Sequence, residues 1–311
     1  MMLSRVAENL YWMARYLERA EDLARLVNVN SILVLDLPRR VDFGWQPLLE
    51  ITDGEDGFAA LYDTLDERSV VRFLIADRRN PGSIISSLDY ARENLRTTRD
   101  IVPREAWERL NDVYLRARQR TASGVPKRAR FAFLNSLIGN IQQITGLLAG
   151  TMSRSEAYWF VKAGRYLERA DMTSRILDVR TEDLLLESAD DLTPFANIQW
   201  MSVLKSLTAY QMYRHHVRLR VRAPDVLQFV IKDPHFPRAV LHCLGEVSAC
   251  LQRIPRCEGP VRAIARVQRR LKRTNVQTLH QADLHRFLDR LQAAIAGLHD
   301  EINATWFSVD A

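Results

Sequence analysis

The sequence predicts an all-α protein, a tandem duplication of a helical-bundle unit with about six helices per unit. Three observations carry this expectation. A run of seven residues returns further along the chain, apolar residues fall three and four apart, and helix-start and turn signals punctuate a chain with no alternating apolar run long enough to require a strand.

The repeat sets the domain plan. Arg15-Tyr16-Leu17-Glu18-Arg19-Ala20-Glu21 returns as Arg165-Tyr166-Leu167-Glu168-Arg169-Ala170-Asp171, an offset of 165 − 15 = 150 residues. Weaker matches follow in the same order. Trp45-x-x-Leu48-Leu49 answers to Trp200-x-x-Val203-Leu204, and Phe73-Leu74-Ile75-Ala76-Asp77 with Pro81 answers to Phe229-Val230-Ile231-Lys232-Asp233 with Pro237. Ala106 and Arg109 answer to Ala263 and Arg266, and Phe133-Leu134, Leu137, Ile141, Leu148 and Thr151 to Phe287-Leu288, Leu291, Ile295, Ile302 and Thr305. The slowly growing offset fits loops that lengthened after a duplication. Residues 1–152 are therefore the first expected unit and 153–311 the second, packed together as one pseudo-twofold domain.

Along the first helix, Leu10, Met13, Ala14, Leu17, Ala20, Ala24 and Val27 share one face with Glu21. In the second copy Phe160, Ala163, Gly164, Leu167, Ala170 and Leu177 take that face with Asp171. Arg15, Glu18 and Arg19 stand opposite, flanked by Trp12, Leu23 and Leu26, so this helix is expected to be buried most of the way round. Thr64-x-x-Glu67 and Ser153-x-x-Glu156 read as capping boxes, and Thr193-Pro194 as an N-cap followed by proline. Phe133, Leu137, Ile141, Ile144 and Leu148 form one apolar stripe, and Ile84, Leu88, Ala91, Leu95 and Val102 another. Breaks fall at 78–82, 121–126 and Glu258-Gly259-Pro260, and an average helix of about 11–12 residues then gives about six per unit.

Composition excludes several classes. The 311 residues are 47% hydrophobic and 26% charged with few glycines and prolines, a globular balance. Arg5, Glu8, Arg15 and Glu18 interrupt any signal-like apolar run, and no stretch approaches a membrane span. Cys243, Cys250 and Cys257 are an odd number without CxxC spacing, so a reducing cytoplasm is the expected setting. The net charge of +6 suits an anionic partner, but 38 acidic residues interleave with the basic ones.

Buried charges are costly unless paired, so Arg15, Glu18 and Arg19 must satisfy one another within a turn or find partners on neighbouring helices. A guanidinium fork suits carboxylate and phosphate alike. Arg15, Glu18, Arg19, Arg165, Glu168 and Arg169 are thus either an internal ion network or the floor of an anion site. The alternative is an enzyme in which Glu21 and Asp171, desolvated on apolar stripes, act as acid and base, with or without a metal. Ala91-Arg92-Glu93-Asn94-Leu95-Arg96-Thr97-Thr98-Arg99-Asp100 breaks the repeat, because Ala249 and Gln252 stand where Glu93 and Arg96 would. This asymmetric face marks Glu93, Arg96, Arg99 and Asp100 as further binding candidates, although i,i+3 and i,i+4 ion pairs on a solvated face would look the same. The basic stretch Arg262, Arg266, Arg269, Arg270, Lys272 and Arg273, with Arg214, His215, His216, Arg218, Arg220 and Arg222, carries no nucleic-acid motif and reads as an ordinary charged face. His280 and His285 lack the spacing of a helical zinc pair, and no P-loop, G-x-S-x-G or G-x-G-x-x-G is present, so neither metal nor cofactor is expected.

Asn9-Leu10-Tyr11-Trp12-x-x-Arg15-Tyr16-Leu17-Glu18-Arg19-Ala20-Glu21, Gly164-Arg165-Tyr166-Leu167-Glu168-Arg169-Ala170 and Ala91-Arg92-Glu93-Asn94-x-Arg96-x-x-Arg99-Asp100 together resemble the bacterial alpha-E domain family over essentially the full chain. Met13 and Ala14 depart from the Leu-Gly expected before Arg15, a change that bears on packing. The resemblance implies a component of a peptide-forming or peptide-modifying system, acting beside a circularly permuted ATP-grasp-type ligase and a transglutaminase-like protein, sometimes with proteasome-like peptidases. The expected function is a non-enzymatic docking protein that positions a peptide or its carboxylate end. Its arginines would bind carboxylate or phosphate, and its glutamates would hold them in place.

Overall fold

The computed structural model of the chain describes residues 2–36, 44–121, 126–185, 193–217 and 220–308. Among the described residues there are fourteen α-helices and no strand. The first seven are α1 (Ser4–Asp36), α2 (Gln46–Ile51), α3 (Glu55–Ala59), α4 (Glu67–Ile75), α5 (Ile84–Thr97), α6 (Arg104–Thr121) and α7 (Lys127–Thr151). The next seven are α8 (Glu156–Leu185), α9 (Thr193–Ser206), α10 (Tyr210–Val217), α11 (Ala223–Lys232), α12 (Val240–Leu251), α13 (Glu258–Arg273) and α14 (Gln281–Ile302). Seven helices, not about six, precede residue 152. Segments as short as α2 and α3, with six and five residues, fall well below the average length that the expectation assumed.

No glycine or proline interrupts the 33 residues of α1. Leu10, Met13, Ala14, Leu17, Ala20, Ala24 and Val27 are all buried, as their period predicts, and so are Leu23 and Leu26 on the other side. Such a helix must be central. α1 packs against α8 more extensively than any other pair of helices pack together. The two stand between two apolar clusters, and each contributes to both: Tyr11 and Leu26 of α1 join Leu167, Trp200, Leu244 and Leu288, while Val161 of α8 joins Leu17, Phe73, Leu88 and Leu134. The close approach rests on Gly164, where a Cβ would overlap the carbonyl of Tyr11.

Helix ends follow local chemistry. α4 is capped by Asp66, whose side chain accepts from the Ser69 N–H at 2.7 Å, and not by Thr64: the short acid adjacent to the helix reaches the orphan amide first. The Ser83 hydroxyl caps α5 in the same way. After α2 and α9 the chain makes the same reversal. Asp53 and Thr208 both sit at φ 53°, and the next N–H reaches back, Gly54 to the Leu49 carbonyl at 2.9 Å and Ala209 to the Leu204 carbonyl at 2.7 Å. Similarly Asp77 Oδ1 accepts from the Arg79 N–H at 2.9 Å, and Asp233 Oδ1 from the His235 N–H at 2.8 Å. No helix among the described residues is long and apolar enough to cross a membrane.

Candidate functional site

The two Glu-Arg pairs of the repeated motif meet across α1 and α8. Glu168 accepts from Arg15 Nε and Arg19 Nε, each at 2.6 Å. Glu18 accepts from Arg169 Nε at 2.6 Å and Arg169 Nη2 at 3.0 Å. Each glutamate thus binds the arginine of the other copy. The intrahelical Arg15–Glu18 pairing that the spacing permits is not used, because one such bond would leave the rest of a buried carboxylate unsatisfied, whereas two donors across the interface engage both oxygens.

The two ends of this clamp differ. Arg165, the counterpart of Arg15, lies over the Tyr166 ring at 5.1 Å, and its buried Nε has no hydrogen-bond partner. Its place at Glu18 is taken by Arg238 in the turn before α12, 3.1 Å away. Arg238 also meets Asp22 at 2.5 Å and Glu21 at 3.1 Å, while Arg25 and Gln142 complete the shell of Glu21. Arg238 and Asp22 escaped the sequence reading. The available signal was the repeat itself, since Pro237-Arg238 stands where the first copy has Pro81-Gly82.

Burial alone would raise the carboxyl of Glu168, but Arg19 and Arg15 outweigh it and hold it at about 2. Glu18 is likewise held below the ordinary range, burial being overcome by Arg169 and Arg238. Burial wins at Asp22, which is pushed up despite Arg238.

Arg19 is the clamp arginine that reaches solvent, its side chain 27% exposed against 9% for Arg15 and 11% for Arg169. It opens into a cleft of about 420 Å³ lined by Tyr16, Arg19, Arg79, Tyr90, Asp171 and Arg175 among others, with Glu168 beneath. Each of the three arginines is held by an acid: Arg19 by Glu168, Arg79 by Asp77 at 2.6 Å and Arg175 by Asp171 at 3.0 Å. Neither terminal nitrogen of Arg19 has a hydrogen-bond partner among the described residues. The cleft therefore presents braced guanidinium donors, an arrangement suited to a carboxylate or phosphate.

Residues 2–307 match the Alpha-E family, a predicted alpha-helical domain with a conserved ER motif. The chain belongs to the Alpha-E family. Its Glu-Arg motif is present twice, as Glu18-Arg19 and Glu168-Arg169. An uncharacterized protein of Mycobacterium bovis is 23% identical over 316 residues, and one of Mycobacterium tuberculosis 22% over 316 residues. Each match covers 95% of this chain and 35% of the relative, so the chain spans about a third of the length of these curated relatives. No solved structure matches it.

The other candidates of this Alpha-E chain lie outside the exchanged Glu–Arg pairs. Glu93 and Arg96 pair with each other on α5 at 2.6 Å, and Arg99 and Asp100 approach to 3.9 Å just beyond it, all four exposed. Asn9 on α1 reaches Thr97 at 3.0 Å, which ties this face to the start of the central helix. Of the proposed acid–base pair, Asp171 lines the cleft with its carboxyl raised by burial against the pull of Arg175, whereas Glu21 is enclosed by Arg25, Arg238 and Gln142. The basic residues of α13 form an exposed face; Arg218 lies outside the described residues. Burial pushes the thiols of Cys243 and Cys250 up to about 12, and Cys257 sits at the start of α13 rather than on their helix. Asp178, His285 and Asp289 could converge on a metal ion, but each ring nitrogen of His285 faces a different carboxylate, Asp178 at 2.7 Å and Asp289 at 3.6 Å.

Proposed function

We propose that this chain is a non-enzymatic docking domain that holds the carboxylate end of a peptide in the α1–α8 cleft for an ATP-grasp-type ligase, with a transglutaminase-like protein as a second partner. The observation that supports it is Arg19, fixed by Glu168 at 2.6 Å yet turning its remaining donors into a cleft shared with Arg79 and Arg175. Glu168 holds that arginine, and Arg15 and the Glu18–Arg169 pair brace the same α1–α8 contact. In the mycobacterial relatives the matched region is one part of a longer chain, which is compatible with a module that works beside another activity. The named partners rest on the family resemblance. We place the system in the cytoplasm, where the free thiols of Cys243 and Cys250 fit.

The domain plan belongs to the same proposal: two units, 1–152 and 153–311, related by duplication. The matching reversals at Asp53 and Thr208, the matching Asp77 and Asp233 turns, and the exchange of glutamates between α1 and α8 support it.

Co-purification from native extract tests the docking role. Recovery of an ATP-grasp-type ligase by the parent chain, and its loss with folded Arg99→Ala, is the expected result. Peptide binding is read separately by calorimetry, where Arg19→Gln should weaken an acidic peptide with a free C-terminus and leave its C-terminal amide unchanged. Failure to recover any such ligase overturns the partnership. Asp171 favours a second reading, an enzyme with one partly buried acid in the cleft; amide-bond turnover by the purified chain, lost in Asp171→Asn, would replace the docking role.

A further inference from the structure

A second cleft, of about 1100 Å³, lies between α4, the turn after it, the end of α6 and the start of α7. Seven cationic side chains line it against two carboxylates; both carboxylates are already engaged, and Arg78 is paired with Asp89 outside the lining. Glu67 accepts from Lys127 at 2.9 Å and Arg130 at 2.8 Å, and Asp77 from Arg79 at 2.6 Å and Tyr62 at 2.7 Å. Arg68, Arg72 and Arg118 are exposed and have no ion-pair partner among the described residues. Arg130 is 5% exposed, packs over the Trp45 ring at 5.6 Å, and its Nε is buried without any acceptor. An under-satisfied buried guanidinium at the edge of a cleft calls for an explanation, as does so large an excess of positive charge in one place.

From these residues we infer that the cleft is a binding site for a compact polyanion with adjacent phosphates, carried either by a nucleoside polyphosphate or by inorganic polyphosphate. The charge decides against a peptide terminus. A single carboxylate would neutralise one of the unpaired arginines, whereas adjacent phosphates present several charges within the reach of Arg68, Arg72 and Arg118 together, and guanidinium forks match phosphate oxygens in pairs. Val71, Ile75 and Ile85 add buried apolar side chains to the lining. The volume admits a ligand of nucleotide size. This site is distinct from the α1–α8 cleft, touching it only through Arg79, so either reading can fail without the other.

Calorimetry of the full chain with sodium tripolyphosphate at physiological salt tests it, with ATP and an oligoglutamate peptide as parallel probes. The expected result is saturable one-to-one binding that weakens about tenfold or more in Arg72→Gln/Arg118→Gln, a pair of exposed changes compatible with folding. Arg266→Gln/Arg270→Gln, which removes charge from the basic face of α13, should bind like the parent. Tighter binding of ATP than of tripolyphosphate identifies the source as a nucleotide, and equal or weaker binding identifies the phosphates alone. Absence of saturable binding, an equal loss in the α13 variant, or displacement of tripolyphosphate by oligoglutamate at comparable concentration overturns the inference.

Discussion

Glu168 is 2% exposed and pairs with two arginines, so its replacement exposes the clamp's energetics more directly than any other single change. Glu168→Gln keeps the shape but leaves Arg15 and Arg19 without a countercharge. Removing one partner of a buried ion pair costs about 3 to 5 kcal/mol, and urea denaturation of the variant should lose that much. The same residue sets a pH window. Its carboxyl is held at about 2 when folded against 4.5 when unpaired, a depressed value, so its contribution is complete above the unfolded value and lost as pH falls through the folded one. Parent stability should therefore fall between about pH 4.5 and pH 2 more steeply than that of Glu168→Gln, as followed by denaturation midpoints. Equal slopes would show that the clamp carries no linkage.

At the level of elements, the α1–α8 crossing depends on one missing methyl group. Gly164→Ala would drive a Cβ into the Tyr11 carbonyl, backbone that cannot swing aside, and overpacking of this kind costs about 3 kcal/mol. Ala14 occupies the corresponding place in α1, so the two helices are not interchangeable at their contact. Thr208 offers the opposite case. It is an exposed β-branched residue held at φ 53°, where L-residues are strained, and Thr208→Gly should raise the thermal midpoint by relieving about 1 kcal/mol. Cys243 and Cys250, buried in α12, should react with a thiol reagent only at the rate of unfolding, whereas Cys257 reacts in the native protein.

Across the whole molecule, neither half can close its core alone. Ala7, Tyr11 and Leu26 of α1 belong to the cluster built mainly from the second half, and Ala157 and Val161 of α8 to that of the first. Residues 1–152 expressed separately should aggregate, because Arg15 and Arg19 lose Glu168 and an apolar face is uncovered. Co-expressed with 153–311, they should form a stable complex. Size-exclusion chromatography separates these outcomes, and a soluble monomeric fragment 1–152 would contradict the shared core.

The sequence by itself determined the helical class, the buried stripes of α1, α5 and α7, and the recurrence of the Glu-Arg pair, because period and repetition are local properties of a chain. It under-counted the helices where segments shorter than an average helix carry little periodicity. The charged cluster was legible as residues but not as a circuit. Spacing along a helix places Arg15, Glu18 and Arg19 within one turn, yet which carboxylate each guanidinium reaches depends on how α8 crosses α1 at Gly164. The asymmetry that replaces Arg165 with Arg238, and the clefts that gather Arg19 with Arg175 and Arg72 with Arg118, arise only when residues from separate helices converge. Tertiary packing decided them because ion pairing falls steeply with distance in a partly desolvated interface, and that distance is set between helices, not along them.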